Sequence, residues 1–111
     1  MNRIVTLTPK ELLEIQGLST DEKRMLFQAG YADFTLQQLV LFRGDGTSVI
    51  APFEMFKPTK KEIPDFHNLE IIDHGQTICL GKYEASTRSI LYDLDPEYRK
   101  YCESIRTKDI N

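Results

Sequence analysis

The residues of this chain with the most chemical reach are two histidines and the acids beside them. Asp65-x-His67 and Asp73-His74 together offer two imidazoles and two carboxylates, a donor set that suits a divalent cation. Their spacing matches no metal signature, and short polar side chains of this kind recur in turns for conformational reasons. The expectation is two turns and no metal. Cys79 stands five residues beyond His74, a pairing that nucleophilic chemistry would need. It lies between Ile78 and Leu80, which predicts a buried, inert thiol. Asp93 and Asp95 read as a helix cap, because nothing apolar around them would raise a carboxyl pKa for acid–base work. Ser86 and Ser89 read as a cap and a helix-surface residue. Gly44-Asp45-Gly46 is a hairpin tip, since a phosphate loop needs a strand before it and a helix after it. These residues predict no catalytic site and no cofactor. An enzyme with an unrecognised site is an alternative, and it requires a pocket near His74 holding a perturbed titrating group.

The elements that position these residues can be read from patterning. Ile71-Ile72 and Ile78-Cys79-Leu80 flank Asp73-His74-Gly75, which predicts two short strands and a tight turn. Leu39-Val40-Leu41-Phe42 and Val49-Ile50-Ala51 flank Gly44-Asp45-Gly46, which predicts a second hairpin with Asp45-Gly46 at its tip. The β-branched run Ile4-Val5-Thr6 predicts a first strand. Thr8-Pro9-Lys10-Glu11 combines an N-cap, a first-turn proline and a capping box, so a helix carrying Leu12, Leu13 and Ile15 is expected, ending at a left-handed Gly17. Ser19-Thr20-Asp21-Glu22 repeats the S-x-x-E signal. A second helix with Met25, Leu26 and Ala29 on one face is expected to run to Gly30. Phe53 to Phe56 form a short apolar segment. Residues 57–64, with two prolines and three lysines, predict a surface loop. Ser86 caps a short helix through Ile90 and Leu91. Asp95-Pro96-Glu97 opens a last amphipathic helix over residues 95–107.

The fold class predicted is α+β: a small, mostly antiparallel sheet of two hairpins plus an N-terminal strand, four or five strands in all, covered by short helices. One domain is expected over residues 1–111. It comprises a helical N-terminal extension over 1–33, a hairpin-rich sheet core over 34–92 and the C-terminal helix. A chain of 111 residues with 41% hydrophobic and 28% charged residues supports one modest core. A net charge of −3 argues against strong non-specific binding to nucleic acid. No apolar run is long enough to span a bilayer or serve as a signal peptide, so a cytoplasmic protein without a membrane partner is expected. Two cysteines without secretory features predict free thiols.

Three surfaces bear on function. The strand 39–42 is apolar on both faces, so both must be covered, within the domain or by a partner. Tyr98, Tyr101 and Ile105 recur on one face of the last helix, and tyrosine is favoured at interfaces. Leu39, Leu41, Phe42, Tyr98, Tyr101 and Ile105 are therefore the interface candidates, for a protein partner or a second copy. Residues 9–29 have the length of a helix-turn-helix, which makes Lys23 and Arg24 the DNA-contact candidates of an alternative reading. Asp21 and Glu22 at the start of its second helix oppose that reading.

Residues 39–91 resemble a bacterial family of small domains of unknown function. The likeness rests on the strand–DG–strand hairpin around Asp45-Gly46, Pro52-Phe53-Glu54-Met55-Phe56, the strand Gly75-Gln76-Thr77-Ile78 and the turn of helix Ser86-Thr87-Arg88-Ser89-Ile90-Leu91. In that family the domain occurs alone, fused to a helix-turn-helix domain, or encoded beside a toxin-like partner. The resemblance implies an antitoxin-like or regulatory binding role and carries over no site residues. The family domain begins near its first hairpin strand, whereas about thirty residues expected to be helical precede it here. The function expected is a non-enzymatic interaction or regulatory module.

Overall fold

The computed structural model describes residues 3–110, with side chains over residues 3–105. The elements run β1 (Val5–Thr6), α1 (Pro9–Gln16), α2 (Thr20–Lys23), β2 (Phe27–Asp33), β3 (Gln38–Arg43), β4 (Ser48–Pro52), β5 (Leu69–Ile72), β6 (Thr77–Leu80), β7 (Tyr83–Ser86), α3 (Thr87–Leu94) and α4 (Pro96–Ile110). Single 3-10 turns occupy Phe53–Met55 and Phe66–Asn68, and a tight turn with positive φ throughout occupies Asp73–Gly75. The fold is α+β, as the patterning predicts.

The strands divide into two antiparallel sheets, of order β1-β2-β3-β4 and β5-β6-β7, where one sheet of four or five strands was expected. Both foreseen hairpins form. In the first, Leu39 faces Ala51 and Leu41 faces Val49. In the second, Ile71 faces Ile78. The third strand of the small sheet, β7, follows the left-handed Gly81 and pairs Leu80 with Tyr83. Its residues Tyr83-Glu84-Ala85-Ser86 carry little apolar signal, so patterning shows only the helix cap at Ser86.

The larger correction concerns residues 27–33. They form β2, at the middle of the four-stranded sheet, so the N-terminal third is not a helical extension. Both capping boxes form as expected, Thr8 with Glu11 and Ser19 with Glu22. The second box, however, starts a single turn of helix. The Gly44 N–H of the β3–β4 hairpin donates to the Lys23 and Leu26 carbonyls at 2.9 and 3.0 Å. That tertiary contact takes acceptors at the end of α2, and the chain turns into a strand. Gly30, expected to end the helix, sits mid-strand because the space there is full. A Cβ on it would lie 2.8 Å from Leu41 Cδ2 and 2.9 Å from the Val40 carbonyl oxygen. Gly17 closes α1 in the right-handed region, with its N–H donating to the Glu14 and Ile15 carbonyls, so the left-handed cap is not used.

The core lies between the sheets. Phe27, Leu39, Leu41 and Ala51 of the larger sheet meet Leu69, Ile71, Ile78 and Leu80 of the smaller one, and Ile90 and Leu91 of α3 close the side. Phe53, Phe56 and Phe66 extend this core along the long connection between β4 and β5, with Phe53 and Phe66 stacked at 3.8 Å between centroids. The apolar segment 53–56 thereby anchors the lysine-bearing loop that follows it.

Candidate functional site

The larger sheet has one buried face and one open face. Strand alternation sends Leu39, Leu41 and Arg43 inward, and sends Val40 and Phe42 outward. Across the register, Tyr31, Val40 and Ile50 form one row of the open face, and Ala29, Phe42 and Ser48 form the next. The Tyr31 and Phe42 rings lie 6.4 Å apart. Ile50 is 50% exposed, and Ile4, just before β1, is 64% exposed. By alternation the face also carries Thr6, Asp33, Gln38 and Pro52, so Asp33 is the single charged residue among the described strand residues of this face. The helix packed on β4 is α3, from the buried side.

This geometry sorts the interface candidates. Leu39 and Leu41 are fully buried in the core and are unavailable to a partner, which corrects the expectation for both. The apolar second face of the strand is real, but its residues are Val40 and Phe42. Half-burial of Tyr31 and exposure of Ile50 were missed. Their signal is the alternation of β2 and β4, legible only once the strand at 27–33 is known. On α4, Tyr98 packs against the core, while Tyr101 and Ile105 are 53% and 41% exposed. The Tyr98 hydroxyl is pushed to a raised pKa by burial first, then by the neighbouring Cys102 thiol.

A cavity of about 200 Å³ opens between α2, the end of β3 and the start of α4, lined by Asp21, Arg24, Met25, Arg43, Asp95, Glu97, Tyr98 and Tyr101. Arg43 Nη1 donates to Asp95 Oδ2 at 2.9 Å, with both residues buried. Arg43 Nε is buried and has no hydrogen-bond partner among the described residues. At the rim, Arg24 Nη2 donates to Glu97 Oε2 at 3.0 Å, and Arg24 Nε lies 3.8 Å from Asp45 Oδ2. The bond to Glu97 raises the Arg24 pKa further.

The helix-turn-helix does not form, because residues 24–29 leave the helix and enter β2. Lys23 ends a single turn, and Arg24 is engaged by Glu97 and Asp45, so neither stands on a recognition helix.

The histidines separate. The His67 ring stacks on Phe34 at 4.3 Å, and the His67 backbone N–H donates to Asp65 Oδ1. Asp65 thus serves as a local turn acceptor. His74 sits in the β5–β6 turn, with Nδ1 3.2 Å from Glu14 Oε2 and 3.6 Å from Glu11 Oε2 of α1. Among the described residues no group of three His, Cys, Asp or Glu side chains is placed to hold a metal ion. A cleft of about 320 Å³ does open beside His74, lined by Glu11, Glu14, Glu22, Met25, Leu26 and Arg88 among others. The Glu11 carboxyl there is held below its ordinary pKa, chiefly by the Thr8 hydroxyl and N–H of the capping box. Cys79 is buried, and burial raises its thiol pKa, with Glu84 and Glu70 adding to the effect. A raised pKa suppresses the thiolate that nucleophilic chemistry requires. Cys79 and Cys102 are both free thiols. Among the described residues no helix is long and apolar enough to cross a membrane.

No family model, curated protein or solved structure matches this chain.

Proposed function

We propose that this chain is a non-enzymatic interaction module that pairs with a second copy of itself through the open face of its four-stranded sheet. The observation that carries this reading is the row Tyr31–Val40–Ile50 with Phe42 beside it, apolar, with Ile50 exposed and Tyr31, Val40 and Phe42 half-buried, in a chain otherwise rich in charge. Contiguous apolar patches of this kind mark contact surfaces. The occupant follows from charge. A face whose one charge, Asp33, stands at its border can meet itself without like-charge repulsion, and a two-fold axis makes one patch serve both copies. Two such sheets pack face to face about 10 Å apart, as in β-sandwiches.

Area sets the strength. Four strands about 4.8 Å apart and roughly five residues long span about 300 Å². Stable complexes bury about 800 Å² per partner, so the pair is reversible and its affinity lies in the weak, micromolar-or-above range.

Sedimentation of the full chain over a concentration series tests the reading. Self-association is expected, and Phe42→Lys with Ile50→Lys is expected to abolish it while leaving the backbone amide NMR pattern folded. A wild-type chain that stays monomeric at about 1 mM, the limit of weak association, would overturn it.

A further inference from the structure

We propose that the cleft between α1, α2 and the β5–β6 turn docks a short basic segment of a partner protein, taking up a lysine side chain with an apolar neighbour. This site is independent of the sheet face and of the self-association assigned to it.

The walls come from the two N-terminal helices and the residues that follow them. Ile15 is buried, Leu18, Met25 and Leu26 are half-buried, and all four line the cleft. Glu11, Glu14 and Glu22 line it as well. Apolar surface beside carboxylates is what a lysine side chain needs. Its four-carbon stem packs on the apolar part, and its ammonium donates to the acids.

Charge gives the sign of the partner. Among the described lining residues Arg88 is the one permanent cation. Three carboxylates against Arg88 leave an excess of two with His74 neutral and of one with His74 protonated. An anionic segment meets repulsion here, and a cationic one is attracted.

Hydrogen bonding favours lysine over arginine. The Thr8 N–H and hydroxyl donate to Glu11 Oε1, and the Ser19 N–H and hydroxyl donate to Glu22 Oε1. Glu14 Oε2 lies against His74 Nδ1. Each carboxylate thus has an oxygen engaged, whereas the two-pronged match of a guanidinium needs both. An ammonium bonds single oxygens. The capping boxes also fix Glu11 and Glu22 before the partner arrives, which lowers the cost of ordering them. Among the described residues no phenylalanine, tyrosine or tryptophan lines the cleft. A trimethylated ammonium, which is recognised by an aromatic cage and donates no hydrogen bond, has no match here.

Size favours a polypeptide over a free amine. An apolar cavity of about 150 Å³ takes one benzene ring. The cleft, about 320 Å³ and open to solvent, takes a lysine stem and one apolar side chain beside it.

The test is ¹⁵N NMR of the whole chain, following the backbone amides of Leu18, Met25 and Leu26 during titration with a capped leucine–lysine–leucine peptide. Saturable shifts are expected, weakening about tenfold as salt rises from about 50 mM to about 500 mM. Glu14→Lys, an exposed position outside both capping boxes, is expected to weaken binding by about tenfold or more. Peptides with acetyl-lysine or trimethyl-lysine at the centre are expected to bind about tenfold more weakly. Amides that do not move at about 10 mM peptide overturn the proposal, as does equal binding of the acetyl-lysine peptide. Spermine binding as tightly as the peptide assigns a free polyamine, and shifts that follow protein concentration without peptide assign a second copy. Either result overturns the partner segment.

Discussion

Arg43 and Asp95, 52 residues apart in the chain, form a buried ion pair in which Arg43 Nη1 donates to Asp95 Oδ2 at 2.9 Å. Their side chains are only 8% and 9% exposed. The pair ties the end of β3 to the start of α4. Asp95 also accepts from the Glu97 N–H at 3.0 Å, so one carboxylate both neutralises a buried guanidinium and caps a helix.

Removing one partner of such a pair strands the other charge in a region water reaches poorly. Asp95→Ala is therefore expected to cost about 3–5 kcal/mol in urea denaturation. Arg43→Met combined with Asp95→Leu is expected to recover most of that loss, because an apolar pair removes both desolvation penalties. A single substitution costing less than about 1 kcal/mol would show that the pair behaves as an exposed one.

Asp45 supplies an acid-side pH dependence. Burial alone would raise its carboxyl pKa, but the Thr47 hydroxyl and N–H, with the nearby Arg43 and Arg24 charges, outweigh burial and hold it below the ordinary value. The unfolded chain therefore takes up the proton first as pH falls. The contribution is full above the ordinary carboxylate range and is lost below about pH 4, as the folded-state carboxyl itself protonates. Glu11 acts in the same direction. Asp45→Asn is expected to flatten part of the stability loss below about pH 4 and to leave the rest. Parallel acid profiles for the two proteins would show that the hairpin-tip contacts do not favour the charged form.

Gly75 and Gly46 share a left-handed backbone, at φ +89° and +90°, but differ in surroundings. A Cβ on Gly46 meets nothing within 4 Å, whereas one on Gly75 would lie 2.6 Å from the Phe27 carbonyl oxygen. Gly46→Ala is expected to cost about 1 kcal/mol, the conformational term alone. Gly75→Ala adds a clash with main chain of β2 that no rotamer relieves, and a loss of about 3 kcal/mol or more is expected. Equal thermal midpoints for the two variants would show that the β5–β6 turn shifts to make room. Asp73 and His74 precede Gly75 with φ of 56° and 54°, so the whole turn is left-handed and has little freedom to do so.

Much of this architecture is legible in the residues. The hairpins around Asp45-Gly46 and Asp73-His74-Gly75, both capping boxes, and the caps at Ser86 and Asp95 are local signals, and local hydrogen bonds satisfy them. The misread segment is 24–33. Its cap is genuine, but a single turn of helix gains little by itself, and the Gly44 N–H and the neighbouring strands decide its length. The candidate site suffers from the same non-locality. Leu39 and Leu41 are indistinguishable from Val40 and Phe42 by composition, and the sheet's partner layer determines which pair is buried.

Sequence alone determines the α+β class, the two hairpins and the helix starts, because turn chemistry, alternation and caps act within a few residues. Tertiary structure alone decides that residues 27–33 become a central strand, that the sheet splits in two, that Tyr31, Val40, Phe42 and Ile50 share an open face, and that Arg43 meets Asp95 beside a cavity. Each of these depends on contacts between segments far apart in the chain, where burial and hydrogen-bond satisfaction outweigh local preference.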